Sequence, residues 1–211
     1  MSSYKTVSGT AESVIVIERS KFICSVKGVN DEDDAKEFIN LIRKKYSIAN
    51  HNCYAYIADE TGALQKFSDA GEPQGTAGLP ILNALKNRDL KKVCAVVTRY
   101  FGGIKLGTGG LARAYGGVTV SAIDNAEIVE LFQAEFLSLD LDYSAYKKFS
   151  ALSVKEFAVR SVDYGERVTV NIAVKKYEVG TEKVLSKLKE LLNGEVNATP
   201  CGSGYFAFLS E

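Results

Sequence analysis

Apolar and polar positions alternate with a period of two early in the chain. Residues 13–17 and 22–29 read as strands joined by Glu18-Arg19-Ser20-Lys21, an opening hairpin. The period then lengthens to three and four, and Ala35, Phe38, Ile39, Ile42 and Tyr46 make the buried stripe of a helix. Asn30 is its expected N-cap. Asp31, Glu32, Asp33 and Asp34 crowd its first turn and Arg43, Lys44 and Lys45 its last, each sign where the helix dipole favours it. Residues 51–58 alternate again as a strand, with Asn52, Tyr54 and Tyr56 on one face and Cys53, Ala55 and Ile57 on the other. A helix capped by Thr76 or Gly78 carries Ile81, Leu82 and Leu85, and Pro80 falls in its first turn, where proline is tolerated. The β-branched run at 93–97 predicts a strand covered on both faces. A glycine turn over 102–110 leads into a helix whose Leu111, Ala114, Tyr115, Val118 and Ala122 recur at three and four.

Residues 124–135 read as a link, after which glycine thins out and the pattern restarts. Strand 136–141, helix 143–155, strands 157–164 and 167–174, helix 179–192 and a last strand at 205–209 follow, with Gly194 as the stop of the second helix. The order βαββαβ is that of a ferredoxin-like, split βαβ unit. The expected class is therefore α+β, with domains at 1–132 and 133–211. A chain of 211 residues is long enough for two such cores.

Composition and charge sharpen this picture in one place. Residues 68–117 hold ten of the 18 glycines. Between 86 and 113 lie seven cations (Lys86, Arg88, Lys91, Lys92, Arg99, Lys105 and Arg113) and one anion, Asp89, in a chain of zero net charge. A cationic loop beside glycine turns and aromatics is a surface for phosphate or for an acidic partner; the plainer reading is a tight turn packing a helix on a sheet. The second domain has no net basic field. The four cysteines lack metal or redox spacing, and His51 is the only histidine, so neither a metal nor another cofactor is expected. No apolar run reaches membrane-spanning length and no secretory signal opens the chain, which points to a cytoplasmic protein with reduced thiols.

The candidate contact surface is Arg99, Tyr100, Gly102, Gly103, Lys105, Gly107, Thr108, Gly109, Gly110 and Arg113: cations for phosphates, backbone N–H donors at a helix start, and aromatics for stacking on bases. A second candidate site is His51, Asp69, Glu72 and Thr76. Asp69 reads as a turn former and Glu72 as a partner of Arg99 or Arg113; the alternative is a small hydrolase using His51, Asp69 and Glu72 as acid and base. Gly102-x-x-x-x-Gly107-Thr108 lacks the lysine of a P-loop, and Gly107-x-Gly109-x-x-Ala112 begins too far beyond its strand for a dinucleotide fingerprint.

The combination SDAGEPQGTAGLP, then VVTRYFGGIKLGTGGLARAYGG, preceded by His51-Asn52-Cys53-Tyr54-Ala55-Tyr56, resembles the YigZ/IMPACT family of translation-associated regulatory proteins. Two positions depart from its usual pattern: Ala70 replaces an aspartate and Leu79 a lysine. The resemblance implies a βαβ-type first domain like the fourth domain of elongation factor G, with a four-stranded sheet and helices on one face, and a second domain like its fifth. It also implies a non-catalytic factor linked to translation or the stress response. Such a factor would contact RNA, the ribosome or a protein partner, an adaptor without nucleic acid being the alternative. In eukaryotic members the matching domain acts through protein partners on a stress kinase that controls translation initiation.

Overall fold

The computed structural model describes residues 2–152, 156–177, 180–192, 194 and 196–208. Its first elements are β1 (Ser3–Ser8), β2 (Thr10–Ile17), β3 (Ser20–Gly28), α1 (Glu32–Lys45), β4 (His51–Ile57), β5 (Gln65–Ser68), α2 (Gly78–Asn87), β6 (Val93–Tyr100) and α3 (Gly107–Asp124). There follow β7 (Glu127–Leu141), α4 (Tyr143–Ser150), β8 (Phe157–Tyr164), β9 (Val168–Lys175), α5 (Thr181–Leu191) and β10 (Asn197–Ala207). The fold is α+β, in two compact units: Tyr4–Val129, and the chain from Glu130 onward together with Ser2 and Ser3.

In the first unit the sheet order is β2-β3-β6-β4-β5, each neighbouring pair antiparallel. The opening hairpin forms with Glu18 and Arg19 at positive φ (46° and 64°), the backbone of a two-residue turn matched to strand twist. Because β3 and β4 both flank β6, the segment β3-α1-β4 is a βαβ unit with a third strand inserted. On one face Phe22, Cys24, Val26, Cys53, Ala55, Ile57, Val93, Ala95 and Val97 lie under α2 and α3. On the other, Tyr56, Cys94 and Val96 lie under Ala35, Phe38, Ile39 and Ile42 of α1.

Two expectations are corrected here. The sheet has five strands, and its helices cover both faces, because β4 and β6 carry apolar side chains on both sides and each side needs cover. The short β5 has no apolar period to mark it, since Gln65, Lys66 and Phe67 are all exposed.

The cap of α1 is Asp31 and not Asn30. Asp31 is extended (φ −160°) and its carboxylate accepts from the N–H groups of Asp33 and Asp34, each at 2.9 Å, whereas Asn30 donates to Asp34. The acidic run is thus a cap and a dipole complement.

In the second unit β10-β7-β9-β8 is antiparallel throughout, with α4 and α5 packed over Leu137, Leu139, Leu141, Val170 and Ile172. The expected link at 124–135 is mostly strand, since β7 begins at Glu127. Asp142 caps α4, which ends at Ser150; the expected continuation to 153–155 lies outside the described residues, as do the expected helix start at Val179 and strand end at Leu209. Gly194, at φ +83°, donates to the Lys189 carbonyl just past α5, as a helix stop does.

Candidate functional site

Three connections meet at the β6 end of the first sheet: the turn 69–77 before α2, the β2–β3 turn, and the glycine turn before α3. Asp69 organises the first. Its carboxylate accepts from the N–H groups of Gly75 (2.8 Å), Ala77 (2.9 Å) and Gly78 (2.8 Å), so the start of α2 is filled by the chain's own anion. Burial pushes this carboxyl up, but the three N–H donors outweigh it and hold it below its usual value. Neither Thr76 nor Gly78 caps the helix. The Thr76 hydroxyl is buried and donates to the Pro73 carbonyl at 2.6 Å.

Glu72 is the centre of a buried polar cluster. Its Oε1 accepts from Arg99 Nη1 and from the Tyr115 hydroxyl, both at 2.7 Å, and the Glu72 and Arg99 side chains are only 3% and 6% exposed. Arg99 Nη2 reaches Ser20 Oγ at 3.4 Å, and its guanidinium lies between the Phe22 and Phe101 rings. Arg99 was expected among the surface contacts; burial and pairing remove it from them, and it becomes the anchor beneath the loop.

His51 approaches the same carboxylate, with Nε2 at 3.9 Å from Oε1, while its Nδ1 lies 3.0 Å from the Ala70 carbonyl. A carbonyl only accepts, so Nδ1 carries the proton. The Cys53 thiol points at the Asp69 carbonyl (2.9 Å) and the Tyr115 hydroxyl (3.4 Å), and burial pushes it up to about 12, out of reach of thiolate chemistry at neutral pH. His51 and Glu72 therefore come together, whereas the Asp69 carboxylate is turned to the start of α2, and both carboxylates are already engaged.

The glycine turn rests on this cluster. Gly102 N–H donates to Ser20 Oγ (3.1 Å), and Phe101 N–H donates to Asn50 Oδ1 (2.8 Å). A Cβ at Gly102 would fall 2.1 Å from the Arg19 carbonyl carbon, so only glycine lets the turn lie against the hairpin. Gly103 and Gly107 take positive φ, 88° and 69°.

At the start of α3, Leu106 occupies the cap position without a side-chain bond, and no acid lies in the first turn. Gly107, Thr108 and Gly109 are exposed, Gly110 and Tyr100 half-buried, and Lys105 and Arg113 exposed. The Arg113 guanidinium reaches back along the first turn, to 3.5 Å from where a Gly109 Cβ would stand.

Folding also redistributes the charge. Arg88 pairs with Asp124, Lys91 with Asp89 (3.1 Å), Lys92 with Glu60 (3.8 Å) and Arg99 with Glu72. Of the seven cations, Lys86, Lys105 and Arg113 have no ion pair among the described residues. Ser20 and Tyr115 join the cluster without a local sequence signal for it. Tyr115 sits in the apolar stripe of α3 and reads as core, and no local pattern marks Ser20, 79 residues from Arg99 in sequence.

Residues 18–123 match the Impact N-terminal domain family. The chain is 43% identical to the IMPACT family member YvyE of Bacillus subtilis (strain 168), over 92% of this chain and 88% of that protein. It is 44% identical to the IMPACT family member YigZ of Escherichia coli (strain K12), over 48% and 50%. Protein IMPACT-B of Xenopus tropicalis is 34% identical over 44% of this chain and 30% of that protein's length. A crystal structure described as that of a hypothetical protein superposes with a TM-score of 0.63 at 28% identity, covering 95% of this chain and 98% of the other. The motifs at 68–117, the domain match and near full-length similarity agree, and the chain belongs to the YigZ/IMPACT family.

Proposed function

We propose that the chain is a non-catalytic cytosolic regulatory protein, linked to translation or the stress response, that contacts RNA or the ribosome through the glycine turn and the start of α3. Its N-terminal domain is residues 1–132 and its C-terminal domain 133–211, like the fourth and fifth domains of elongation factor G. The observation that carries the reading is the contrast between two neighbouring helix starts. That of α2 is satisfied by Asp69, whereas that of α3 is exposed, uncapped and flanked by Lys105 and Arg113 without acidic partners. The N–H groups of Thr108, Gly109 and Gly110 supply donors to a phosphate, and half-buried Tyr100 and exposed Phe101 stand beside them for stacking. Arg99 supports the turn from below.

A second reading is a protein adaptor without nucleic acid. It draws on Val14 and Val16 of the edge strand β2, 52% and 65% exposed. The hydrolase reading loses ground, because a general base needs a free carboxylate and Asp69 and Glu72 are both engaged.

The test is fluorescence anisotropy of a labelled single-stranded RNA against the chain across a salt series, with duplex RNA and DNA controls. Lys105→Glu with Arg113→Glu should weaken binding at least about tenfold, two phosphate contacts being reversed in sign, with the melting temperature nearly unmoved. Unchanged affinity would refute the reading, and recovery of a protein partner without RNA would favour the adaptor.

A further inference from the structure

The two edges of the first sheet are unequal. β5 is four residues long and carries Lys66, as guarded edges do, whereas β2 runs for eight residues without a proline, a lysine or a bulge. The two-residue turn at Glu18 and Arg19 makes Ile17 and Ser20 a hydrogen-bonded pair, so the odd residues of β2 bond to β3 and the even ones turn their N–H and C=O groups to the open edge. Two contacts agree with this parity. Gly28 N–H donates to the Gly9 carbonyl at 3.3 Å on the β3 side, and Asn125 Nδ2 donates to the Glu12 carbonyl at 3.1 Å on the other. Asn125 therefore closes the edge at Glu12. Val14 and Val16 remain, each with an outward N–H and C=O, and with side chains on the face away from core-packed Ile15, 52% and 65% exposed.

We propose that this edge pairs antiparallel with that of a second copy of the chain, joining two five-stranded sheets across a two-fold axis at Ile15. Parity fixes the register. Only even residues offer backbone groups, so the pairing sets Val14 against Val14, Val16 against Val16, or Val14 against Val16. The first needs the Glu12 carbonyl that Asn125 occupies, and the second sets Val14 against Glu18, which at φ 46° has left the strand. The third uses only free groups. Val14 of each copy then exchanges both N–H···O bonds with Val16 of the other, and the valines of both copies meet on one face, next to Ile23 of β3, which is the register partner of Val14.

Charge is balanced at the ends of this contact. Beyond the valines Glu12, paired with Lys45 at 2.9 Å, meets the Glu18-Arg19 turn of the second copy, so each acid arrives with a base, and a chain of zero net charge does not repel its like. The two-fold also closes: each copy uses up the long open edge of its first sheet and the guarded β5 edges end the joined sheet, so association stops at a dimer. A foreign strand would meet the same backbone groups; the second copy in addition matches valine with valine and a neutral end with a neutral end. The contact is small beside the roughly 1,200 Å² of a stable interface, so the dimer is weak and forms with concentration. This pairing is independent of the α3 start and takes the β2 edge from a foreign partner.

The experiment is sedimentation velocity of the full chain in reducing buffer from about 10 μM to about 1 mM. The sedimentation coefficient should rise from monomer to dimer across this range. Val14→Lys with Val16→Lys should weaken association at least about tenfold and leave the melting temperature of the dilute chain nearly unmoved, since both side chains are exposed. Hydrogen exchange read residue by residue needs no variant: the Val14 and Val16 amides should slow with concentration, whereas those of Ser13 and Ile15, bonded to β3, should not change. With Cys201→Ser removing the exposed native thiol, Ile15→Cys should give a disulfide-linked dimer on oxidation, because the two-fold sets it opposite itself. A chain that stays monomeric at the highest concentration, a dimer indifferent to the two lysines, or exchange at Val14 and Val16 that ignores concentration would overturn the proposal, and equal crosslinking by Thr10→Cys would refute the register. Protection of those two amides by an extended valine-rich peptide, in a chain that does not dimerise, would instead assign the edge to a foreign strand.

Discussion

At the scale of single residues, Glu72 holds the first unit's loops together. Its Oε1 takes two donors from different elements, Arg99 of β6 and Tyr115 of α3, and burial with the neighbouring Cys53 and Glu72 raises the Tyr115 phenol well above its ordinary value. A phenol so raised stays protonated at neutral pH and donates to Glu72. Glu72→Ala leaves the Arg99 guanidinium buried and uncompensated, and urea unfolding should show a loss of about 3 kcal/mol. Glu72→Leu combined with Arg99→Met should recover most of that loss, since it removes both charges; a double variant as unstable as the single would mean that packing, not charge, sets the cost. The sequence offers Arg99 or Arg113 as the partner of Glu72, and the fold selects Arg99. It does not offer Tyr115, because a tyrosine at an apolar helical position gives no sign of where its hydroxyl goes.

At the scale of elements, the two glycine-rich helix starts look alike in sequence and differ in space. Both offer unpaired N–H groups, yet Asp69 returns through β5 and its turn to occupy one of them. Asp69→Ala should destabilise the unit by about 1–2 kcal/mol, read from the urea midpoint, as the loss of a cap does. Because the folded carboxyl is held below its unfolded value, its contribution is complete above about pH 4 and disappears as pH falls through the folded value. Thermal melts on the acid side should therefore be flatter with pH for Asp69→Asn than for the parent; identical acid profiles would refute this role. The α3 start stays open because Leu106 cannot cap it and no acid is near in its first turn.

At the scale of the whole molecule, charge decides how binding responds to salt. The chain is neutral, and of the seven cations between 86 and 113 four are paired within the fold. Binding through Lys105 and Arg113 should show a shallow log–log salt slope of about −1.4, against about −5 if all seven cations met phosphates. A slope near the steeper value would show that the internal ion pairs open on binding.

The sequence alone determined the helices, most strands, the α+β class and the family, because periodicity, caps and glycine motifs are local and act within a few residues of one another. It also located the glycine turn and the two cations beside α3. Only the tertiary structure decided which charges were free. Glu72 and Arg99 lie 27 residues apart, Lys92 and Glu60 come from different loops, and Arg88 and Asp124 end different helices, so their pairing depends on sheet order and helix placement. The cluster of half-buried rings on the second sheet is not legible in the sequence for the same reason. Phe132, Phe136, Arg160, Lys175 and Phe206 sit on four strands, and only the register of β7 against β9 and β10, with the bulge in β8, brings their side chains onto one surface.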